Sequence, residues 1–165
     1  MFFCQHYWSG TEPHNGIDLV VKQSLVKTQI VSPVNGKITA IKVAENPYST
    51  PINQLLMTVE ISINLKWSVS LVLEPSTINT DLKNAQREAI KVKVGQDVST
   101  GDVITDLLIG DLGYPHLHLM LTESGKEVCP YSNSTEAAKR IFETIVSTRL
   151  NNNMPDGNIC YGEVK

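Results

Sequence analysis

The fold is indicated first by residues 57–63, Met-Thr-Val-Glu-Ile-Ser-Ile, which are apolar at the odd positions and polar at the even ones. Successive side chains of a β-strand point to opposite faces, so this period of two predicts a strand with one buried and one polar face. Residues 67–73 repeat the pattern after a three-residue interruption. The two segments together predict a β-hairpin.

Short strands of this kind are predicted along most of the chain. From residue 17 to about 122, β-branched residues alternate with polar ones, turn residues fall between them, and no helical period is found. Asn35-Gly36 lies between two β-rich runs and predicts a further hairpin. Gly95 and Gly101 bracket a turn of the kind that folds a strand back over a compact sandwich. We therefore expect an all-β sandwich of mostly antiparallel strands.

One helix is predicted beyond residue 133, where the period changes. Apolar residues recur there at helical spacing, at Ala138, Ile141, Phe142 and Ile145. Asn133 and Glu136 are placed as a capping pair, so we expect an amphipathic helix over about 134–150. Turn-prone residues then lead into a tail.

Composition and charge limit the class of protein. A chain of 165 residues with 41% hydrophobic and 19% charged residues is typical of one globular domain. A net charge of -3 excludes the basic surface that nucleic acids require, and no apolar run is long enough to span a membrane. We expect a monomer. The first residues lack a secretory signal, so the protein either stays inside the cell or has an export signal outside this sequence.

The three cysteines do not form a metal motif, because Cys4, Cys129 and Cys160 lie far apart in the sequence. A bridge between Cys129 and Cys160 would tie the C-terminal tail to the body of the domain. The odd number of cysteines leaves the pairing open.

Histidines carry the chemical signal. His116 and His118 belong to an alternating segment that predicts a strand, so both imidazoles face one side, about 7 Å apart along the chain, while the intervening leucine faces the other. His14 and Asp18 are four residues apart around a turn-prone Asn-Gly, ahead of another apolar run. A His-x-His pair alone is more often a half-exposed polar edge of a strand than a ligand pair, and a His-x-x-x-Asp pair alone is a very weak signal. Together they offer imidazole nitrogens and a carboxylate oxygen, which suit zinc and leave a fourth position for water.

The sequence around these histidines resembles the lysostaphin-type zinc peptidases, the group that includes lysostaphin and the β-lytic enzymes. Residues 14–18, His-Asn-Gly-Ile-Asp, are similar to the family's His-x-Gly-x-Asp motif, and residues 115–118, Pro-His-Leu-His, to its second histidine motif. The Asn-Gly segment at 32–38 and the glycine turn at 94–101 follow in the family's order. The resemblance covers about residues 10–131.

The resemblance implies one peptidase-like domain, residues 1–165, with the duplicated hybrid-motif fold of the family. Its core would occupy about residues 10–131. The predicted helix and tail, residues 132–165, have no counterpart in the family's core pattern.

The resemblance also implies the site and the reaction. His14, Asp18 and His118 would be the ligands of one Zn²⁺ ion per chain, and His116 a catalytic histidine beside the metal. The activity implied is hydrolysis of peptide bonds in bacterial peptidoglycan, at a cross-bridge or stem peptide, by a zinc-activated water. Such a substrate implies an extracytoplasmic location, in the periplasm, at the cell wall or secreted.

One position departs from the family. The family carries a further active-site histidine in the middle of the chain, whereas the matching strand here contains none and places Glu74 there. Glu74 would act as a proton acceptor, as glutamate does in other zinc peptidases, or it would be a solvent-facing residue at a strand end. The second reading makes the protein a catalytically weak or inactive zinc-binding relative that serves as a cell-wall binding or regulatory module.

Four weaker candidates remain. Tyr114 precedes the second histidine motif and is placed to meet substrate, whereas His6 is expected on the surface of an N-terminal arm. Residues 22–28 form an insertion that predicts a hairpin protruding near the groove. A carrier domain of the lipoyl or biotinyl kind would require a modifiable lysine at a hairpin tip, for which Lys37 is the available residue.

Overall fold

Two sheets and two helices make up the part of the chain that the structure describes. The computed structural model covers residues 2–4, 16–21, 26–46, 49, 51–112 and 115–150, with only the main chain for 2–4 and 146–150. The strands are β1 (Phe2–Cys4), β2 (Gly16–Val21), β3 (Lys27–Val31), β4 (Gly36–Asn46), β5 (Gln54–Ser62), β6 (Trp67–Glu74), β7 (Asp97–Val98), β8 (Val103–Leu108), β9 (His116–Glu123) and β10 (Lys126–Val128). The helices are α1 (Thr80–Glu88) and α2 (Glu136–Leu150).

The large sheet has eight strands in the order β1-β2-β9-β6-β5-β4-β7, with β10 added beside β9. All of its strand pairs are antiparallel, and so is the separate pair β3-β8. The small sheet contributes Ile30, Ile104 and Leu107 to the same apolar cluster as Val59 and Leu71 of the large one. The predicted fold class, an all-β sandwich of antiparallel strands, is confirmed.

The predicted hairpin of residues 57–63 and 67–73 is also confirmed. β5 and β6 are paired from Met57–Leu73 to Ser62–Ser68, and burial along β5 alternates residue by residue. The buried members of this hairpin form the centre of the core, while the polar members lie on the opposite face of the sheet. This polar face also carries the histidines of β9.

The predicted hairpin at Asn35-Gly36 is wrong. β3 pairs with β8, whereas β4 pairs with β5 and β7, so the two β-rich runs belong to different sheets. The Asn35 side chain accepts a hydrogen bond of 2.8 Å from the amide of Thr100 and thereby joins two loops. Gly36 is required for space, because a Cβ there would lie 2.5 Å from the carbonyl oxygen of Ser62. At this dipeptide the chain passes from the small sheet to the large one.

Helix α1 was not predicted, since residues 17–122 show no helical period. Its N-cap is Asn79, whose side chain accepts from two amides of the first turn. The face that it buries is polar, formed by Lys83 and Gln86. The Gln86 side chain donates to the carbonyl of Asp106 and accepts from the amide of Leu108, so hydrogen bonds to β8 hold the helix in place. An apolar pattern could not reveal such a helix.

Helix α2 confirms the predicted C-terminal helix, but the predicted capping pair is wrong. The helix begins at Glu136, and the Thr135 hydroxyl accepts a hydrogen bond of 3.3 Å from the amide of Ala138. Asn133 instead donates to the carbonyl of Cys129, 3.1 Å away. No helix within the described ranges has the length and apolarity needed to cross a membrane.

Helix α2 supports the strand that carries Asp18. Phe142 and Ile145 pack with the fully buried Ile17 and with Cys129. The Tyr131 hydroxyl donates to Glu143 across 2.6 Å, and this hydrogen bond to a carboxylate raises the pKa of Tyr131. Cys129 forms a disulfide, but its partner's side chain lies outside the described residues, as does Cys160, so the predicted pairing stays a prediction.

The small sheet is held partly by an ionic contact at Asp106. This carboxylate lies 3.0 Å from Lys91 Nζ and 3.2 Å from Lys27 Nζ. The hydrogen bond from Lys91, followed by that from Lys27, lowers the pKa of Asp106 despite its burial. Because the folded pKa is lowered, the contact stabilises the fold at neutral pH and is lost as the pH falls through that pKa.

The lysine that a carrier domain would require is not at a hairpin tip. Lys37 lies within β4, opposite Asp97 of β7, and its Nζ is 3.1 Å from the Asp97 carboxylate. A cofactor attached to Lys37 would therefore not extend from a hairpin tip, as it does in a carrier domain. The carrier-domain reading has no support in the structure.

Candidate metal centre

Four of the five predicted site residues come together on three neighbouring strands. β9 lies between β2 and β6, and Asp18 of β2 is directly opposite His118. Glu74 of β6 is directly opposite His116. Because side chains alternate along a strand, residues 116 and 118 and their partners all project from the polar face of the large sheet.

Asp18 and His118 form the innermost contact of this group. Asp18 Oδ1 lies 2.6 Å from His118 Nδ1, and the two side chains are only 10% and 15% exposed. A carboxylate oxygen and an imidazole nitrogen that point at each other in a shielded place are two donors of the kind zinc prefers.

Gly16 fixes the orientation of the His118 ring, a role that the sequence did not reveal. A Cβ at residue 16 would lie 2.6 Å from His118 Nε2 and would also clash with Cε1. The edge of the ring that carries Cε1 and Nε2 therefore lies against the glycine, while Nδ1 is directed at Asp18. The glycine of the His-x-Gly-x-Asp motif was the available signal, because a glycine at a fixed place often marks a close approach.

His116 lies between two carboxylates. Its Nε2 is 3.4 Å from Glu74 Oε1 and 4.0 Å from Asp18 Oδ1. The side chains of His116 and Glu74 are 21% and 23% exposed, so both are largely covered yet reachable from the polar face. Glu74 is the last residue of β6 and its carboxylate contacts the predicted catalytic histidine, so both readings of Glu74 stay predictions.

The remaining predicted ligand, His14, lies outside the described residues, as do His6, Tyr114 and residues 22–25 of the insertion. Within the described ranges no group of three or more histidine, cysteine or acidic side chains converges as a metal cluster. Asp18 and His118 nevertheless fit zinc by the chemistry of their donor atoms, and His14 precedes the first residue of β2 by two positions in the sequence. The full ligand set stays a prediction.

Comparison of the structure with solved proteins identifies the fold. A candidate M23 peptidase from Pseudomonas aeruginosa matches with a TM-score of 0.50 at 23% sequence identity, over 74% of this chain and 44% of that one. The chain has the fold of the M23, or lysostaphin-type, peptidases. It spans less than half of that protein.

Two further solved structures give lower scores. A zinc-containing peptidase from Vibrio cholerae has a TM-score of 0.47 at 24% identity, over 70% of this chain and 29% of that one. Lysostaphin has a TM-score of 0.44 at 16% identity, over 99% of this chain and 57% of that one. No family model and no curated protein matches the sequence.

Proposed function

We propose that this chain is a zinc-dependent endopeptidase domain that hydrolyses peptide bonds of bacterial peptidoglycan. The observation that carries the proposal is the strand register, which sets Asp18 opposite His118 and Glu74 opposite His116 on one face. The histidines of β9 thus meet Asp18 of the first motif and Glu74 of β6 within a fold of peptidase type.

In this proposal one zinc ion is held by His14, Asp18 and His118. Bound zinc supplies a Lewis acid for the scissile carbonyl and lowers the pKa of a water towards about 7. Asp18 and His118 are suited to the task because both are largely shielded from solvent and already face each other. Gly16 keeps His118 in the orientation that directs Nδ1 into the site.

His116 is the proton carrier. It is not needed as a ligand, and its Nε2 lies within 4.0 Å of the Asp18 carboxylate, beside the ligands. A neutral imidazole in that position accepts the proton of the attacking water and returns it to the leaving amine. Glu74, whose Oε1 is 3.4 Å from His116 Nε2, orients the imidazole ring. It also stabilises the positive charge of the imidazole while the ring holds the proton.

Peptidoglycan is proposed as the substrate because of the resemblance between both histidine motifs and those of the lysostaphin-type enzymes. A cross-bridge or stem peptide is extended and reaches an open sheet face without unfolding. For the same reason we propose that the domain acts outside the cytoplasm, and we propose that it is a monomer. We propose that this domain carries out the complete hydrolysis by itself, although it spans 44% of the M23 protein that it matches.

One observation favours a second candidate, a zinc-binding relative that recognises the cell wall with little or no hydrolysis. The mid-chain histidine of the family is replaced by Glu74, and a carboxylate cannot donate a positive hydrogen bond to an oxyanion at neutral pH. The contact between Glu74 and His116 favours the enzyme, because it gives the replacing residue a role.

The two candidates are separated by incubating purified peptidoglycan with the zinc-loaded protein and counting new amino termini by mass spectrometry. The enzyme releases defined peptides, loses this activity in a chelator and regains it when zinc is returned. Asp18→Ala is the matched negative control. A folded, zinc-loaded protein that binds peptidoglycan but releases no amine would establish the binding module instead.

A further inference from the structure

A polar cavity of about 400 Å³ lies on the same face of the large sheet as the candidate centre. Its floor is formed by β5, β6 and β9, and its lining includes Thr39, Glu60, Ser68, Ser70 and Thr122. The roles proposed for Asp18, Glu74 and the histidines do not use it. A cavity on the same face as a hydrolytic site is a place where a longer substrate would lie.

The strand register fixes the distance between this cavity and the centre. Val72 is opposite His118, and Ser70, two residues along β6, is opposite Glu60 of β5. From His118 to Glu60 there are thus two strand spacings and a shift of two residues. With about 4.8 Å between strands and 3.3 Å per residue, the separation is about 12 Å, or three to four residues of extended peptide.

The floor of the cavity offers free hydroxyl groups. The hydroxyls of Ser68, Ser70 and Thr122 make no hydrogen bond with any other residue that the structure describes. Their side chains are short, so a peptide main chain can approach the sheet closely. Hydroxyls both donate and accept, and therefore match the alternating amide and carbonyl groups of an extended peptide.

Glu60 is the acidic residue among those that line the cavity. Its Oε1 accepts a hydrogen bond of 3.1 Å from Thr39, which holds the carboxylate in place. Its ionic partner, Lys42, is 3.8 Å from Oε2 and 68% exposed, so that pair is weak and easily exchanged. The cavity's own cation, Lys66, is engaged elsewhere, by Glu123 and by the ring of Trp67.

We infer that this cavity is a substrate subsite in which Glu60 binds an ammonium group three to four residues from the bond that is cleaved. The inference rests on the proposed function and adds the substrate class: an extended peptide with a free amine at that distance. The amine can belong to a diamino-acid side chain or to a free N-terminus, and both present the same charge to Glu60.

Binding is tested in the His116→Ala background, in which cleavage is expected to be about a thousandfold slower. The probes are end-blocked pentaglycine peptides with one lysine at either end, their acetyl-lysine counterparts, and hexaglycine with a free or acetylated N-terminus. We expect the protein to bind one charged probe about fivefold more tightly than its acetylated counterpart, and Glu60→Gln to remove this difference. The probe that is preferred identifies the source of the amine.

The matched control is Glu88→Gln, an exposed carboxylate at the end of α1 that should leave the preference intact. A charge preference that survives Glu60→Gln, or no charge preference at all, overturns the subsite. Hydrolysis is measured separately with the same probes in the unaltered protein. Failure of hydrolysis with an intact, Glu60-dependent preference would refute the proposed function and leave the subsite standing.

Discussion

His116→Ala is expected to lower kcat/KM for peptide hydrolysis by about a thousandfold while the zinc content is unchanged. A positioned general acid-base residue contributes about 10² to 10⁴ in rate, and His116 is the imidazole beside the predicted ligands that is not itself one. The measurement is steady-state hydrolysis of a peptidoglycan peptide, with zinc determined on the same samples. Full activity in His116→Ala would remove His116 from the reaction.

Glu74→Gln belongs to the same test because Glu74 is proposed to act through His116. The amide keeps the shape of the side chain but removes the charge next to His116 Nε2, so we expect a loss of about tenfold, mainly in kcat. Glu127→Gln, at an exposed position on β10, is the control and should change neither parameter. If Glu74→Gln matches the unaltered protein, Glu74 does not stand in for the missing histidine.

Gly16→Ala should weaken zinc binding by at least about tenfold and destabilise the fold by about 1–3 kcal/mol. The added methyl group must occupy the space of the His118 ring, so either the ring turns away from Asp18 or β2 separates from β9. Gly16 is not among the described glycines with positive φ, so the expected effect comes from space and not from backbone strain.

Urea unfolding and competition with a zinc chelator measure the two effects of Gly16→Ala. Thr122→Ala, on the same face of β9 but away from the His118 ring, should leave both zinc affinity and stability nearly unchanged. Stability and zinc affinity equal to those of the unaltered protein would mean that the ring does not rest on Gly16.

The strand pattern was predictable where one face of a strand is buried. Residues 57–63 and 67–73 alternate because their odd positions fill the core, and the structure pairs them as expected. The turn at Asn35-Gly36 was misread because local turn chemistry does not say which strands pair. Here the chain passes from the small sheet to the large one, and the glycine provides room for the carbonyl of Ser62.

The candidate site was predictable only in part. Alternation placed His116 and His118 on one face, but their partners come from β2 and β6, which are distant in sequence. The position of Glu74 depended on this pairing, so the sequence left it open between a site residue and a strand end. Helix α1 was not predicted for a similar reason. Its buried Gln86 is held by hydrogen bonds to β8, a strand that is distant in sequence.

The zinc content of the purified protein tests the central claim most directly, because every catalytic role proposed here depends on the metal. Elemental analysis should find about one zinc per chain, and Asp18→Ala or His118→Ala should reduce it sharply. Added zinc should also raise the melting temperature of the metal-free protein, since a ligand that binds only the folded state stabilises it. A protein purified without zinc whose stability does not respond to added zinc would contradict the account.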